Sequence, residues 1–236
     1  MVTPETLLQT LRRFNDFGNL TRRDYSGEIG VERMMELVKT VGTYRTKDFT
    51  IDAANEGVYV NFAKWMLGDP TMKAIDLATN KLTTGDLNKG IYLAGPTGSG
   101  KTFATEIFLY LSQILQLKIE CYGNDEPFHF ENIRSDALTD IFVRTGDVST
   151  YKTKRLLCIQ DLGSEPQEVL YMGNRVNVLK DILESRGDKQ TGLTIITSNY
   201  PLTSDQLKQR YGDRVVSRLI GMCNYITLTG NDRRKR

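Results

Sequence analysis

Eight consecutive residues, Gly95-Pro96-Thr97-Gly98-Ser99-Gly100-Lys101-Thr102, constrain this chain more than any other feature. They follow the apolar run Ile91 to Ala94 and precede an amphipathic stretch from Lys101 to Leu115, so the pattern predicts a strand, a glycine-rich turn and a helix. Glycines at these spacings let successive N–H groups point inward at phosphate oxygens, and the helix N-terminus adds partial positive charge. In such a loop Lys101 bridges the β- and γ-phosphates and the Thr102 hydroxyl coordinates magnesium, so the implied ligand is a nucleoside triphosphate with Mg2+.

The remaining pattern fits that reading. Strands are expected at Leu117 to Tyr122, Leu156 to Gln160, Leu193 to Ser198 and Tyr225 to Leu228, and helices at Arg134 to Phe142 and Arg175 to Ser185, with short helical turns near Gln206 and Val215. Repeated strand-helix alternation implies an α/β fold with a five-stranded, mostly parallel sheet covered by helices on both faces. Upstream, helices are expected from Thr3-Pro4, from Val31 to Val41 with Gly42 as its stop, over Val58 to Leu67, and after Thr71 ahead of a polar loop that ends at Lys89. The turn-rich stretch from Gly18 to Gly30 reads as a solvated loop, with Arg22 and Arg23 free to meet a partner.

Composition removes several classes of function. The chain of 236 residues is 39% hydrophobic and 25% charged, ordinary for a chain with one substantial core. No run approaches the roughly 20 apolar residues of a membrane helix, and the expected location is the cytoplasm. Cys121, Cys158 and Cys223 stand apart in apolar surroundings, and His129 is the sole histidine, so a structural zinc site would lack ligands. The net charge of +2 depends on the last four residues, all basic; the other 27 Lys and Arg are outnumbered by 29 acids. That tail, Arg233 to Arg236, is either a solvated end or a phosphate contact.

The loop leaves the reaction open. Asn80-Lys81 precedes it, so no Asn-Lys-x-Asp element reads a guanine base, and the segment from Glu184 to Gly192 is too poor in arginine for a small-molecule kinase lid. Oligomeric ATPases remain. These need acid at the end of an apolar strand, and Leu156-Leu157-Cys158-Ile159-Gln160-Asp161 supplies one acid where a pair is usual. Either Gln160 stands in the magnesium position and Asp161 polarises water, or Asp161 holds magnesium and the water-polarising slot falls on the apolar Leu162 or must be served by Glu165; hydrolysis is slow either way. Asn199, closing the run Leu193 to Ser198, is placed to orient the attacking water. Arg214 and Arg218, four apart on one helix face, suit an arginine finger reaching a neighbouring subunit.

Taken together, GPTGSGKT, LLCIQDLGSE, IITSN, YGDRVVSRL and the closing LTGNDRR resemble the DnaC/IstB family of AAA+ ATPases, helicase loaders and transposition helpers, over roughly Phe49 to Arg234. The resemblance implies the AAA+ strand order, with the loop-bearing strand between the last strand and the Thr-Ser-Asn strand. It matches Asp161 to the water-polarising acid, Asn199 to the sensor and Arg218 to the finger, and places Phe49 and Ile51 in the stretch that packs on adenine. It further implies ATP and Mg2+ as ligands, a homo-oligomer in the ATP state, single-stranded DNA as a ligand, and a replicative helicase or a transposase as partner. Residues 46–236 would form the ATPase domain and residues 1–45 a helical, partner-binding region without the zinc-ligand cluster of some relatives. The 18 residues after Arg218 leave no separate lid domain. The reading is an ATP-dependent helicase loader with slow hydrolysis, with a transposition helper or a non-hydrolysing nucleotide-dependent scaffold as alternatives.

Overall fold

The computed structural model describes residue 3 and residues 20–121, 123–189, 192–230 and 232–233. The helix expected from Thr3-Pro4 onward lies outside the described residues, as do Tyr122, Asn231 and the last three tail residues.

The centre is a five-stranded sheet built from β4 (Gly90–Ala94), β7 (Glu131–Arg134), β8 (Leu156–Leu162), β11 (Leu193–Ser198) and β12 (Cys223–Thr227). Its order is β12-β4-β11-β8-β7, and every pairing is parallel. The loop-bearing β4 therefore stands between the last strand and the Thr-Ser-Asn strand, as the resemblance implied. Strands buried on both faces read as continuous apolar runs, and β4, β8 and β11 do so because alternate residues feed two separate cores. Ile91, Leu93, Leu156, Cys158, Leu193 and Ile195 join one cluster, whereas Tyr92, Ala94, Leu157, Ile159 and Ile196 join the other.

Helices α1 (Val31–Arg45), α2 (Glu56–Leu67) and α3 (Lys101–Ile114) contribute to the first cluster. There Phe62 stacks on Phe108 with centroids 4.5 Å apart, and Trp65, wholly buried, meets Phe128 and Phe130. Burying each such ring stabilises the fold by about 1.5–3 kcal/mol. Helices α4 (Ser135–Thr145), α6 (Val178–Lys189), α7 (Asp205–Tyr211) and α8 (Asp213–Met222) serve the second. The short helix α5 (Ser149–Thr153) precedes β8.

Several elements differ from the sequence pattern. The helix expected after Thr71 is a hairpin of β2 (Lys73–Asp76) and β3 (Lys81–Thr84), with β3 exposed throughout. Gly68 in the left-handed region ends α2, and Asn80, also left-handed, closes the tight turn between β2 and β3. The expected strand at Leu117 to Tyr122 exists as β5 (Lys118–Cys121) but lies outside the main sheet, antiparallel between β1 (Leu20–Arg22) and β6 (Asn124–Pro127). Its place in the main sheet is taken by β7, an edge strand that is half exposed and so carries no apolar run to betray it. A second hairpin, β9 (Val169–Tyr171) and β10 (Asn174–Val176), occupies the start of the expected Arg175 helix.

Gly18 to Gly30 is not wholly a solvated loop either. Its Arg22 lies in β1 with the guanidinium 4.7 Å from the Trp65 ring and 4.2 Å from the Phe128 ring, and it donates to the Trp65 and Met66 carbonyls. Burial pulls its pKa down; this arginine is committed to the interior. Gly42 does not stop α1, which continues to Arg45. It serves instead as a gap, because a β-carbon there would collide with the ring of Phe49.

Candidate functional site

A cavity of about 670 Å3 opens at the carboxyl edge of the sheet, where parallel α/β sheets place their ligands. One wall is made by the loop between β4 and α3. Gly98 there has a φ of 79°, a left-handed conformation that favours glycine, and a side chain would also strike the Asp232 carboxylate. First-turn N–H groups of α3 have no intrahelical acceptor, and the buried Ser99 hydroxyl has no hydrogen-bond partner.

Lys101 is only 5% exposed, and its ammonium donates to the carbonyls of Gly95 (2.8 Å) and Pro96 (2.9 Å) and to Asn199 Oδ1 (2.8 Å). Asn199 follows β11, the neighbour of β4, which is how two residues 98 apart in sequence meet. Thr102 Oγ1 donates to Asp161 Oδ1 at 3.3 Å. Thr97, Gly98, Gly100, Lys101, Thr102, Asp161 and Asn199 all line the cavity; Gly95, Pro96 and Ser99 belong to the loop but do not line it.

A bulge sends Gln160 and Asp161 in different directions. The register of β11 against β8 runs Ile196 to Ile159 and then Ser198 to Leu162, so Gln160 and Asp161 together oppose Thr197. Asp161 takes a φ of 56° and turns toward Thr102, with its N–H donated to Thr197 Oγ1 at 2.8 Å. Gln160 stays in the sheet, 2% exposed, accepting from Thr197 Oγ1 (2.8 Å) and donating to Asn132 Oδ1 (3.1 Å). Gln160 therefore does not face Thr102; Asp161 does.

The residues that follow Asp161 point elsewhere. Leu162 is buried in the core. Glu165 is 4% exposed, accepts from the Gly163 N–H at 2.9 Å, and is held by Arg210 and by the Tyr211 hydroxyl. Burial, reinforced by that carboxylate, pushes the Tyr211 phenol well above its usual range. A residue that sequence reasoning missed stands beside Asp161: Arg134, at the end of β7, places Nη1 3.0 Å from Asp161 Oδ2 while its Nε and Nη2 grip Asp136. The hydrogen bonds to Asp136 raise its pKa. The half-exposed edge strand that positions it gave no sequence signal.

The opposite wall comes from elsewhere in the chain. Phe49 lines it, with its ring 5.5 Å from Phe103 and 5.7 Å from Tyr59, and Thr50, Asn55 and Tyr59 join it. Burial pushes the Tyr59 phenol up. Ile51 does not line the cavity and packs, half-buried, against the core. Arg233 does line it. Arg218 and Arg214 stand apart from the cavity on α8, both paired with Asp188 at the end of α6, Arg214 at 2.7 Å.

A solved structure with this architecture is that of a proposed primosome component from Streptococcus pyogenes serotype M3, with a TM-score of 0.51 and 19% identity over 81% of this chain and 90% of that one. What the two chains share is the fold, a five-stranded parallel sheet with helices on both faces. Two further structures are similar at lower scores. They are the DnaC helicase loader (0.46, 16% identity, 78% of this chain and 94% of that one) and AMPPCP-bound DnaA from Aquifex aeolicus (0.44, 15%, 77% and 49%). No family model matches the sequence, and no curated protein does. Among the described residues no helix is long and apolar enough to cross a membrane.

Proposed function

We propose that this protein binds ATP and Mg2+ in the cavity at the carboxyl edge and acts in DNA replication as a DnaC-like helicase loader with slow ATP hydrolysis. The observation that carries the reading is the convergence of Lys101, Thr102, Asp161 and Asn199 on one cavity from three neighbouring strand ends. The residues fit the group. Lys101 would exchange its carbonyl acceptors for phosphate oxygens, the α3 amides and Gly-rich backbone would cradle them, and Thr102 with Asp161 would hold the metal, which would supply charge neutralisation at the phosphates. Asn199, already on Lys101, orients the attacking water. Phe49 packs on the base.

Slow turnover follows from the acid count. Asp161 is the acid beside Thr102, and neither Gln160 nor Glu165 is available to polarise water. Loss of a general base costs about a hundredfold or more. Arg218 pairs with Asp188 and does not line its own cavity, so as a finger it would serve a neighbouring copy, exchanging Asp188 for a phosphate. The replication role rests on the motif resemblance and on the fold shared with the streptococcal primosome component. The oligomer, single-stranded DNA and residues 1–45 as the helicase grip rest on the resemblance alone.

A non-hydrolysing scaffold is the second reading, favoured by the inward-turned Gln160. Phosphate release with excess magnesium, single-stranded DNA and partner separates the two: turnover lost in Arg218→Ala with binding retained excludes the scaffold, and no turnover under any condition excludes the ATPase. Affinity capture of the full chain with ATP tests the partner. Recovery of a hexameric helicase supports the loader, and recovery of a transposase replaces it with a transposition helper.

A further inference from the structure

After β12 the chain does not leave the nucleotide site. Leu228 is buried and continues the strand pairing, its N–H donated to the Ala94 carbonyl at 2.7 Å. Five residues on, the Arg233 N–H is donated to the carbonyl of Gly98, inside the phosphate loop, at 3.0 Å. The Arg233 side chain then crosses to the other wall, with Nη2 2.9 Å from Asp52 Oδ1 and Nη1 3.5 Å from the Thr50 carbonyl. It lines the cavity together with Thr50 and Phe49, and its Nε is buried with no hydrogen-bond partner. A cation is thus fastened by its backbone to the Gly98 loop and by its guanidinium to Asp52 and Thr50, at the lining of the cavity.

We infer that Arg233 is a nucleotide-binding residue supplied in cis by the segment after the last strand, and that it contacts the nucleotide on the side away from the γ-phosphate. The inference rests on the proposed ATP site and adds a contact to it. The side of contact follows from partners. Lys101 holds Asn199, and Thr102 holds Asp161, at the γ-phosphate end. Arg233 shares none of those contacts and meets Gly98, Thr50 and Asp52 instead. A planar guanidinium there donates to an α-phosphate or ribose oxygen and lies against the base. Because ADP and ATP are alike on that side, Arg233 holds both equally.

The test is titration of the full chain with fluorescent ATP and ADP, with thermal melting in the absence of nucleotide as the measure of folding. Wild-type chain that binds neither nucleotide overturns the ATP site itself. If it binds, Arg233→Ala is expected to weaken ATP and ADP by the same factor, roughly tenfold for a charge-assisted hydrogen bond. Arg233→Lys should recover only part of that loss, since the planar fork is gone. Unchanged affinity, or a lower melting temperature alone, shows that Arg233 merely pairs with Asp52 and overturns the inference. A loss confined to ATP places it at the γ-phosphate and overturns it as well.

Discussion

The two walls of the cavity at the carboxyl edge are assembled in different ways. The phosphate wall comes from one contiguous motif plus the ends of adjacent parallel strands, so sheet geometry alone brings Lys101, Thr102, Asp161 and Asn199 together. The opposite wall draws on residues 46–59, on Phe103 and on Arg233, which no shared strand aligns. Its members are placed by packing: Phe49 by α1 and the rings of Tyr59 and Phe103, Arg233 by Gly98 and Asp52. A wall set by the sheet is fixed by many cooperative hydrogen bonds, whereas a wall set by a few side chains yields to single substitutions.

The largest expected effect is on the phosphate wall. Lys101→Ala should weaken ATP by about a hundredfold, because a buried ammonium on phosphate is a strong charged hydrogen-bonding group; undiminished affinity in a nucleotide titration breaks the assignment of this wall. Next, Asp161→Asn should cut phosphate release about a hundredfold while leaving magnesium-free nucleotide binding intact. Asparagine tolerates the left-handed backbone at this position, so the change isolates chemistry from strain.

Gln160→Glu sharpens the contrast between adjacent residues. It should leave turnover no faster and cost roughly 1–3 kcal/mol in urea unfolding, since an ionised acid would face Asn132 Oδ1 without the amide donor. Faster turnover would show that position 160 reaches the metal after all. On the opposite wall, Phe49→Ala should weaken ATP and ADP alike by roughly tenfold, the scale of one lost base-stacking contact.

That difference also explains what was legible in the sequence. Four strands of the parallel sheet and the phosphate loop are written in local patterns, namely apolar runs of strand length and glycines at set spacings, whereas the position of the loop-bearing strand came from the family resemblance. The hairpins at Lys73–Thr84 and Val169–Val176 and the edge strand Glu131–Arg134 were not, because exposed strands need no apolar run. Asp161 was legible, but the choice between it and Gln160 was not, since a one-residue bulge against Thr197 decides which side chain leaves the sheet. Arg22 looked like a surface charge because nothing nearby in sequence announces that Trp65 and Phe128 enclose it. Phe49 was reached through the family resemblance, and Arg233 stood out only as one of four basic residues in a row.

Gly42 turns the far side of α1 into a lever on the base wall. Alanine is ordinarily the better helix former by about 1 kcal/mol, yet here its methyl group would drive the Phe49 ring out of its seat. Gly42→Ala should thus trade a stiffer helix for a few-fold weaker grip on nucleotide, an effect smaller than any above and readable in the same titration. Because the Phe49 ring sits in the gap that Gly42 leaves in α1, a side chain added on that helix reaches the cavity lining directly.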